Sequence, residues 1–212
     1  MNIRLTTATT AAVALGLFFA SPTALAQDKM STMSADNTIA SWPEDARKAA
    51  KKVIAQYGQP DAASDAMLVW HNKGPWKRIV ASRTPDKHRF PAMHPDSMEQ
   101  VVSYRVPVDK FDDLARFDGS VTVDRTRGEM AARCDLEANN LLALNLAHDI
   151  VTGKRTVAGA RAYYGRAIKR FKEKQVMDPY QKKLVFSTRS GMTADPDVST
   201  IMPKMPKMGK MK

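Results

Sequence analysis

The sequence predicts an α+β fold in which a small antiparallel sheet packs against helices, with disordered tails at both ends. Two β-prone runs, 67–71 and 76–81, flank a Gly-Pro turn and predict a β-hairpin. A long helical pattern covers 129–151, and a second helix over 156–174 follows after a short break at Gly153. Two helices joined by such a short connection predict a C-terminal αα-hairpin. A sheet and helices that occupy separate parts of the chain are typical of the α+β class.

Residues 1–26 have the organisation of a secretory signal peptide. One cation, Arg4, precedes an uncharged apolar stretch, and the small residues Ala24 and Ala26 match the preference of signal peptidase. The apolar stretch is shorter than the roughly 20 residues that cross a bilayer. We therefore expect cleavage after Ala26, a periplasmic or secreted protein, and no transmembrane span in the mature chain.

Beyond the signal, the sequence predicts a single α+β domain over 42–190, flanked by two disordered segments. Residues 27–41 are polar and lack hydrophobic periodicity, as is typical of disordered chains. Residues 191–212 end in a repetitive run of methionine and lysine, and we expect this tail to be disordered as well.

The elements of the domain follow from local patterns. The first helix has Ser41 as its predicted N-cap, Pro43 in its first turn and Gly58 at its end. The segment 83–97 contains three prolines and two histidines, which predicts a long loop. The other elements are a strand over 98–106, a short helix over 108–117, a strand over 120–126, the two helices of the αα-hairpin with Thr156 as the second N-cap, and a strand over 183–188.

The first helix and the hairpin together resemble a known kind of envelope module. The run Tyr57-Gly58-Gln59-Pro60, then Leu68-x-Trp70, a turn, and Trp76-Lys77-Arg78-Ile79 is similar to the helix-plus-hairpin of β-lactamase-inhibitor-like and SmpA-type envelope domains. The resemblance covers residues 43–81. It implies a binding or assembly module rather than an enzyme. The chain departs from the envelope lipoproteins because it lacks their N-terminal lipid-bearing cysteine.

Polar residues interrupt the apolar helix predicted over 129–151. Glu137 and His148 are candidate catalytic residues, since both lie on one stripe of that helix. About 16 Å along the helix axis separates them, so they cannot share one proton or one ion directly. The alternative is a buried polar network that orients the αα-hairpin against the sheet. The sequence has no nucleophile motif and no glycine-rich phosphate loop, which favours a protein that is not an enzyme.

The loop predicted over 83–97 carries candidate metal ligands. His88, Met93 and His94 offer imidazole and thioether donors, which suit copper or zinc, although the neighbouring Lys87 and Arg89 oppose a cation. We expect any ligand site to lie between this loop and the polar stripe of the long helix.

The tail offers a second set of candidate metal ligands, in which methionine recurs every three residues: Met202, Met205, Met208 and Met211. Thioethers favour Cu(I), so copper is a candidate cofactor. In a polyproline II segment, however, successive methionines lie about 9 Å apart along the axis. The alternative is a basic tail that contacts an anionic envelope surface.

The single cysteine and the net charge limit the functions that the chain can have. Cys134 cannot form an intramolecular disulfide, and its position in the helix predicted over 129–151 suggests a small buried residue. The formal net charge of +11 favours anionic partners. In an exported chain these are envelope surfaces rather than nucleic acid.

We expect a non-catalytic binding or assembly module that contacts an envelope protein or an anionic envelope surface. The first alternative is a periplasmic copper-handling protein that uses the methionine tail. The second is an enzyme with its site near Glu137 and His148.

Overall fold

A six-stranded antiparallel sheet organises the part of the chain that the computed structural model describes, which comprises residues 35–188, 193–195 and 197–201. The strand order is β1-β2-β3-β4-β6-β5. The strands are β1 (Ala62–Ala63), β2 (Met67–Lys73), β3 (Trp76–His88), β4 (His94–Ser103), β5 (Val121–Asp124) and β6 (Glu129–Cys134). The signal segment 1–26, the stretch 27–34 and the methionine tail 202–212 lie outside the described residues.

Helices pack with this sheet around one apolar core, so the predicted α+β class is confirmed. They are α1 (Glu44–Tyr57), α2 (Phe111–Phe117), α3 (Glu137–Val151) and α4 (Val157–Lys174), with 3-10 turns at Val108–Lys110 and Pro179–Gln181. Trp70, Ile79 and Ala132 lie on the helix-facing side of the sheet and are fully buried. Among the described residues, no helix combines the length and the apolarity that a membrane crossing requires.

The predicted hairpin is confirmed as β2 and β3. Trp70 faces Ile79 across the two strands, and the turn between them contains Asn72 and Gly74, both at positive φ. Glycine adopts this backbone conformation without steric cost. The Trp70 indole N–H donates a hydrogen bond of 2.9 Å to the carbonyl of Gly58, which ties the hairpin to the end of α1.

The start of the domain differs from the prediction. The N-cap of α1 is Pro43 and not Ser41, and it provides no side-chain cap. Gly58 does end the helix, with φ at 80°. Residues 35–40 are helical although the sequence predicts disorder over 27–41, because Ile39 is buried in the apolar core. Tertiary packing therefore orders a segment that has no amphipathic pattern of its own.

The prediction of a loop over 83–97 is largely wrong. Strand β3 continues to His88, β4 begins at His94, and these two residues pair with each other at the end of the ladder. Prolines normally interrupt a ladder, but here the pairing shifts register between Ala81 and Asp86, where Pro85 lies. Such an irregularity accommodates a residue without an N–H group.

The prediction of a helix over 129–151 is wrong for its first residues. Residues 129–134 form β6, which pairs with β4 on one side and β5 on the other, and α3 begins only at Glu137. Cys134 therefore ends a strand and does not lie in a helix. Met130, Ala131 and Ala132 favour a helix locally, but pairing on both edges decides their conformation.

The αα-hairpin is confirmed. Helix α4 begins after Thr156, whose hydroxyl accepts a hydrogen bond of 3.1 Å from the Gly159 N–H, as predicted for an N-cap. The strand predicted over 183–188 does not form. This segment is instead held by Asn145 of α3, whose side chain bonds to the carbonyl of Lys183 and the N–H of Val185.

Part of the tail predicted to be disordered packs on the sheet. The Thr193 hydroxyl donates to the Gly128 carbonyl at 2.9 Å, and the Asp195 N–H donates to the Arg125 carbonyl at 3.1 Å. These contacts lie at the turn between β5 and β6. A side chain at position 128 would collide with the backbone of Thr193, so this approach requires Gly128.

Candidate metal centre

Two imidazoles and a carboxylate meet where β3 ends and β4 begins. His88, His94 and Asp96 have donor atoms that all lie within 4.8 Å of one another. Asp96 Oδ1 is 3.2 Å from His94 Nε2 and 3.7 Å from His88 Nδ1. The antiparallel pairing of β3 with β4 produces this arrangement, because it sets His88 directly opposite His94.

These separations match the spacing of donors around a small cation. Ligands held at about 2.0–2.1 Å in a tetrahedral zinc site lie about 3.3 Å from one another. The two distances from Asp96 to the histidines bracket that value. The cluster can therefore hold a first-row divalent ion with small side-chain adjustments.

Each imidazole has one nitrogen that faces away from Asp96, called the outer nitrogen here, and an acceptor oxygen lies beside it. His94 Nδ1 lies 2.8 Å from the carbonyl of Ala92, so it must donate, and Nε2 remains as the nitrogen that faces Asp96. His88 Nε2 lies 3.4 Å from Asp118 Oδ1, while its Nδ1 faces Asp96 and lies 3.2 Å from Ser120 Oγ. Carbonyl or carboxylate groups placed behind a histidine in this way orient it as a metal ligand.

Asp96 is the central group of the cluster, and its side chain is only 2% exposed. Its Oδ2 accepts a short hydrogen bond from the Ser120 hydroxyl. Its Oδ1 accepts no well-aligned hydrogen bond, although His94 Nε2 is close, because the direction of that contact is poor. A coordinated cation would bond to this oxygen directly.

The electrostatics of the cluster favour positive charge. The contact with the Asp96 carboxylate, followed by that with Cys134, raises the pKa of His94 to about 11, although burial acts in the opposite direction. Burial raises the pKa of Asp118, while the N–H of Ser120 acts to lower it. The carboxylates and imidazoles thus lie in a sparsely hydrated place, where their interactions with an ion are strong.

A cleft of about 230 Å³ opens beside the cluster. It lies between the β3–β4 turn and helices α3 and α4. Its walls include His94, Cys134, Asp135, Asn139, Tyr164, Ile168 and Phe171. The turn is held against α4 by Phe90, whose ring meets Tyr164 edge-on at 5.3 Å and lies under the Arg161 guanidinium. Of the three cluster ligands, His94 lines this cleft.

The structure does not bring Glu137 and His148 together. The Glu137 carboxylate accepts hydrogen bonds from Tyr57 and Trp76 at 2.9 and 3.2 Å and from Gln100 at 2.6 Å. Burial and the Glu137 charge raise the pKa of Tyr57, so that hydroxyl remains a donor. This carboxylate joins α1, β3, β4 and α3 into a polar network.

His148 has a separate environment near the other end of α3. Its Nδ1 lies 2.7 Å from the Tyr104 hydroxyl, and its ring stacks on Phe186 with the centroids 4.8 Å apart. Burial lowers the pKa of His148. Asn140 and Asn145 lie between the two candidates and are fully buried, each with hydrogen-bond partners.

The candidate ligand Met93 is placed differently from His88 and His94, and so is the histidine His71. Met93 is 59% exposed and borders the cleft beside His94, outside the ligand cluster. His71 contacts Asp61 at 3.3 Å and does not join the cluster. The four tail methionines lie outside the described residues.

Sequence reasoning placed Asp96 in the same loop as His88 and His94 without singling it out, and it missed Asp118 and Ser120. One signal was present: His94 and Asp96 are two residues apart, so in a strand they lie on the same face. That signal is lost when 83–97 is taken as a loop. Asp118 and Ser120 enter the site only through the tertiary approach of the α2–β5 turn, for which the sequence gives no pattern.

No family model matches this chain, and comparison with curated proteins and with solved structures finds no similar protein. The resemblance of residues 43–81 to envelope modules therefore stays a prediction.

Proposed function

We propose that this chain is a metal-binding protein that holds a zinc-class divalent ion through His88, His94 and Asp96. One observation carries the proposal. Both imidazoles have an outer acceptor, and their inner nitrogens converge on a buried carboxylate oxygen that lacks a well-aligned hydrogen bond. Two imidazoles and one carboxylate form a donor set typical of zinc and other first-row ions, and less suited to calcium or magnesium.

This proposal differs from a copper site built on the tail. The ligands belong to the folded sheet, and they are nitrogen and oxygen donors rather than thioethers. We therefore expect a chain that lacks residues 199–212 to keep its zinc site. The cleft supports the proposal further, because it gives an ion a route to His94.

A competition titration with a chromophoric zinc chelator tests the proposal on metal-free mature protein. We expect one zinc ion per chain, and a loss of affinity in His88→Gln and His94→Gln. The loss should exceed the ~10–100-fold that accompanies removal of an outer-sphere partner. His71→Gln and His148→Gln are matched controls, because they remove the two histidines outside the cluster. Zinc affinity that is equal in all four variants would contradict the proposal.

We also propose that the mature chain acts outside the cytoplasm, since residues 1–26 have the features of a signal peptide. N-terminal sequencing of protein from the native host tests this, and Gln27 is the expected first residue.

The second function that we propose is contact with an anionic envelope surface. The exposed side chains of α4 include the cations Arg166, Lys169, Lys172 and Lys174, and Glu173 is the only acidic residue of that helix. Such a face is attracted to lipid headgroups. Salt-sensitive binding to anionic vesicles is the measurement that tests it.

A further inference from the structure

Cys134 lies beside the proposed metal site although it is distant in sequence. It ends β6 directly opposite Met98 of β4, and Asp96 lies two residues from Met98 on the same face of that strand. The Cys134 side chain is buried. His94 and Cys134 also line the same cleft.

The surroundings of the sulfur are polar, unlike those of a cysteine that only fills space. Asn139 Nδ2 donates to Cys134 Sγ at 3.4 Å, and the thiol donates to Asp135 Oδ1 at 3.3 Å. The side-chain oxygen Oδ1 of Asn139 accepts a hydrogen bond of 3.3 Å from the Gln181 side-chain amide. This bond directs the side-chain amide hydrogens of Asn139 towards the sulfur. An N–H donor of this kind stabilises a thiolate that binds a metal.

We propose that Cys134 supplies the fourth donor and completes a site of one cysteine, two histidines and one aspartate. This inference rests on the proposed function. Three ligands leave a tetrahedral ion with one open position, and Cys134 lines the same cleft as His94. Cys134 Sγ lies outside the 4.8 Å group formed by the three donors, so ligation requires its side chain to turn towards the ion. Asp96 Oδ1, on the same face of β4, lacks a well-aligned hydrogen bond, and the proposed function rests on this same observation.

The ligation step involves no oxidation. The S–H bond breaks, a sulfur–metal bond forms, and the proton leaves to solvent through the cleft. A thiolate donor also sharpens selectivity, because soft sulfur favours zinc, cobalt and copper over magnesium, calcium and manganese.

Cobalt(II) substitution tests this assignment directly. Cys134 is the only cysteine of the chain, so a sulfur-to-cobalt charge-transfer band in the near ultraviolet can come from no other residue. We expect that band in the wild type, together with the intense visible bands of a tetrahedral ion. In Cys134→Ser we expect cobalt binding at least ~10-fold weaker, with the charge-transfer band abolished.

A second measurement does not depend on the folding of that variant. Zinc should slow alkylation of Cys134 in the wild-type chain by at least ~10-fold, consistent with loss of the free thiolate on coordination, and it should give no protection in His94→Gln. His148→Gln, as the control, should be protected like the wild type.

The outcomes separate the two proposals. Cobalt binding without a charge-transfer band, or alkylation that zinc does not slow, would overturn ligation by Cys134 and leave the three-donor site intact. Failure of the wild type to bind either cobalt or zinc would overturn the proposed function itself.

Discussion

Asp118 contributes to the proposed site without being one of its inner donors. Its side chain is almost fully buried, and it accepts from the Ser120 N–H at 2.9 Å and contacts His88 Nε2 at 3.4 Å. Because it holds the outer nitrogen of His88, it keeps Nδ1 directed at Asp96. We therefore regard Asp118 as a positioning residue for the ion.

Asp118→Asn tests this role. The amide retains an acceptor for Ser120 but loses the charge that polarises His88, so we expect zinc affinity to fall ~10–100-fold. The same competition titration measures the change. Asp112→Asn is the control, since this exposed carboxylate of α2 undergoes the same chemical change away from the site. An equal effect of both substitutions would show that Asp118 does not position His88.

Glu137 shows why residue type alone misleads. A carboxylate at the start of a helix near a histidine resembles a catalytic acid, and the sequence offered it as one. In the fold, Tyr57, Trp76 and Gln100 occupy its oxygens. A carboxylate with this many donors is a structural anchor between elements.

At the scale of helices and strands, sequence patterns predicted the elements whose conformation depends on residues within the same segment. The β2–β3 hairpin and helix α4 follow from a turn and a cap that lie within the segment itself. Strand β6 could not be found in this way, because its conformation depends on pairing with β4 and β5.

The residues of the candidate site also differ in whether local sequence could identify them. His88 and His94 were identifiable from their residue type and proximity in sequence. Asp96 becomes a ligand candidate only when 94–96 is known to be a strand. Asp118 and Cys134 are brought in by the neighbouring α2–β5 turn and by β6. Nothing in their own sequence neighbourhoods indicates a metal.

The exposed cationic face of α4 carries a prediction for surface binding. Each Lys near an anionic membrane contributes about 1 kcal/mol, so reversing the charge of Lys169 and Lys174 together should lower binding to anionic vesicles by at least ~10-fold. Lys51→Glu with Lys52→Glu, on the exposed side of α1, is the control with the same change in net charge. Vesicle co-sedimentation at two salt concentrations measures both. Equal losses would indicate attraction to net charge alone, and not to α4.

At the scale of the whole molecule, the proposed ligands belong to the same cooperative unit as the core. Strands β3, β4 and β6 carry all of them, and these strands also supply buried residues such as Ile79, Met98 and Met130. An ion that binds there should therefore stabilise the entire fold and not a single loop.

Thermal and denaturant unfolding with and without zinc measure this coupling. At free zinc 100 times its Kd, binding to the folded state alone adds about 2.7 kcal/mol to the free energy of unfolding. We expect an increase approaching this value in the wild type and in His71→Gln. We expect none at the same zinc concentration in His94→Gln. A similar increase in His94→Gln would place the stabilising ion elsewhere.

The direct pairing of His88 with His94 has a consequence for how the chain reaches its folded state. The three inner donors all lie within residues 88–96, so closing the loop that joins them costs little chain entropy. Cys134 and Asp118, by contrast, arrive from distant parts of the chain. An ion can therefore be captured while the polypeptide is still largely unfolded, and it then favours the β3–β4 pairing on which the rest of the sheet assembles. The supply of metal during folding would then influence the rate of folding as well as the final stability.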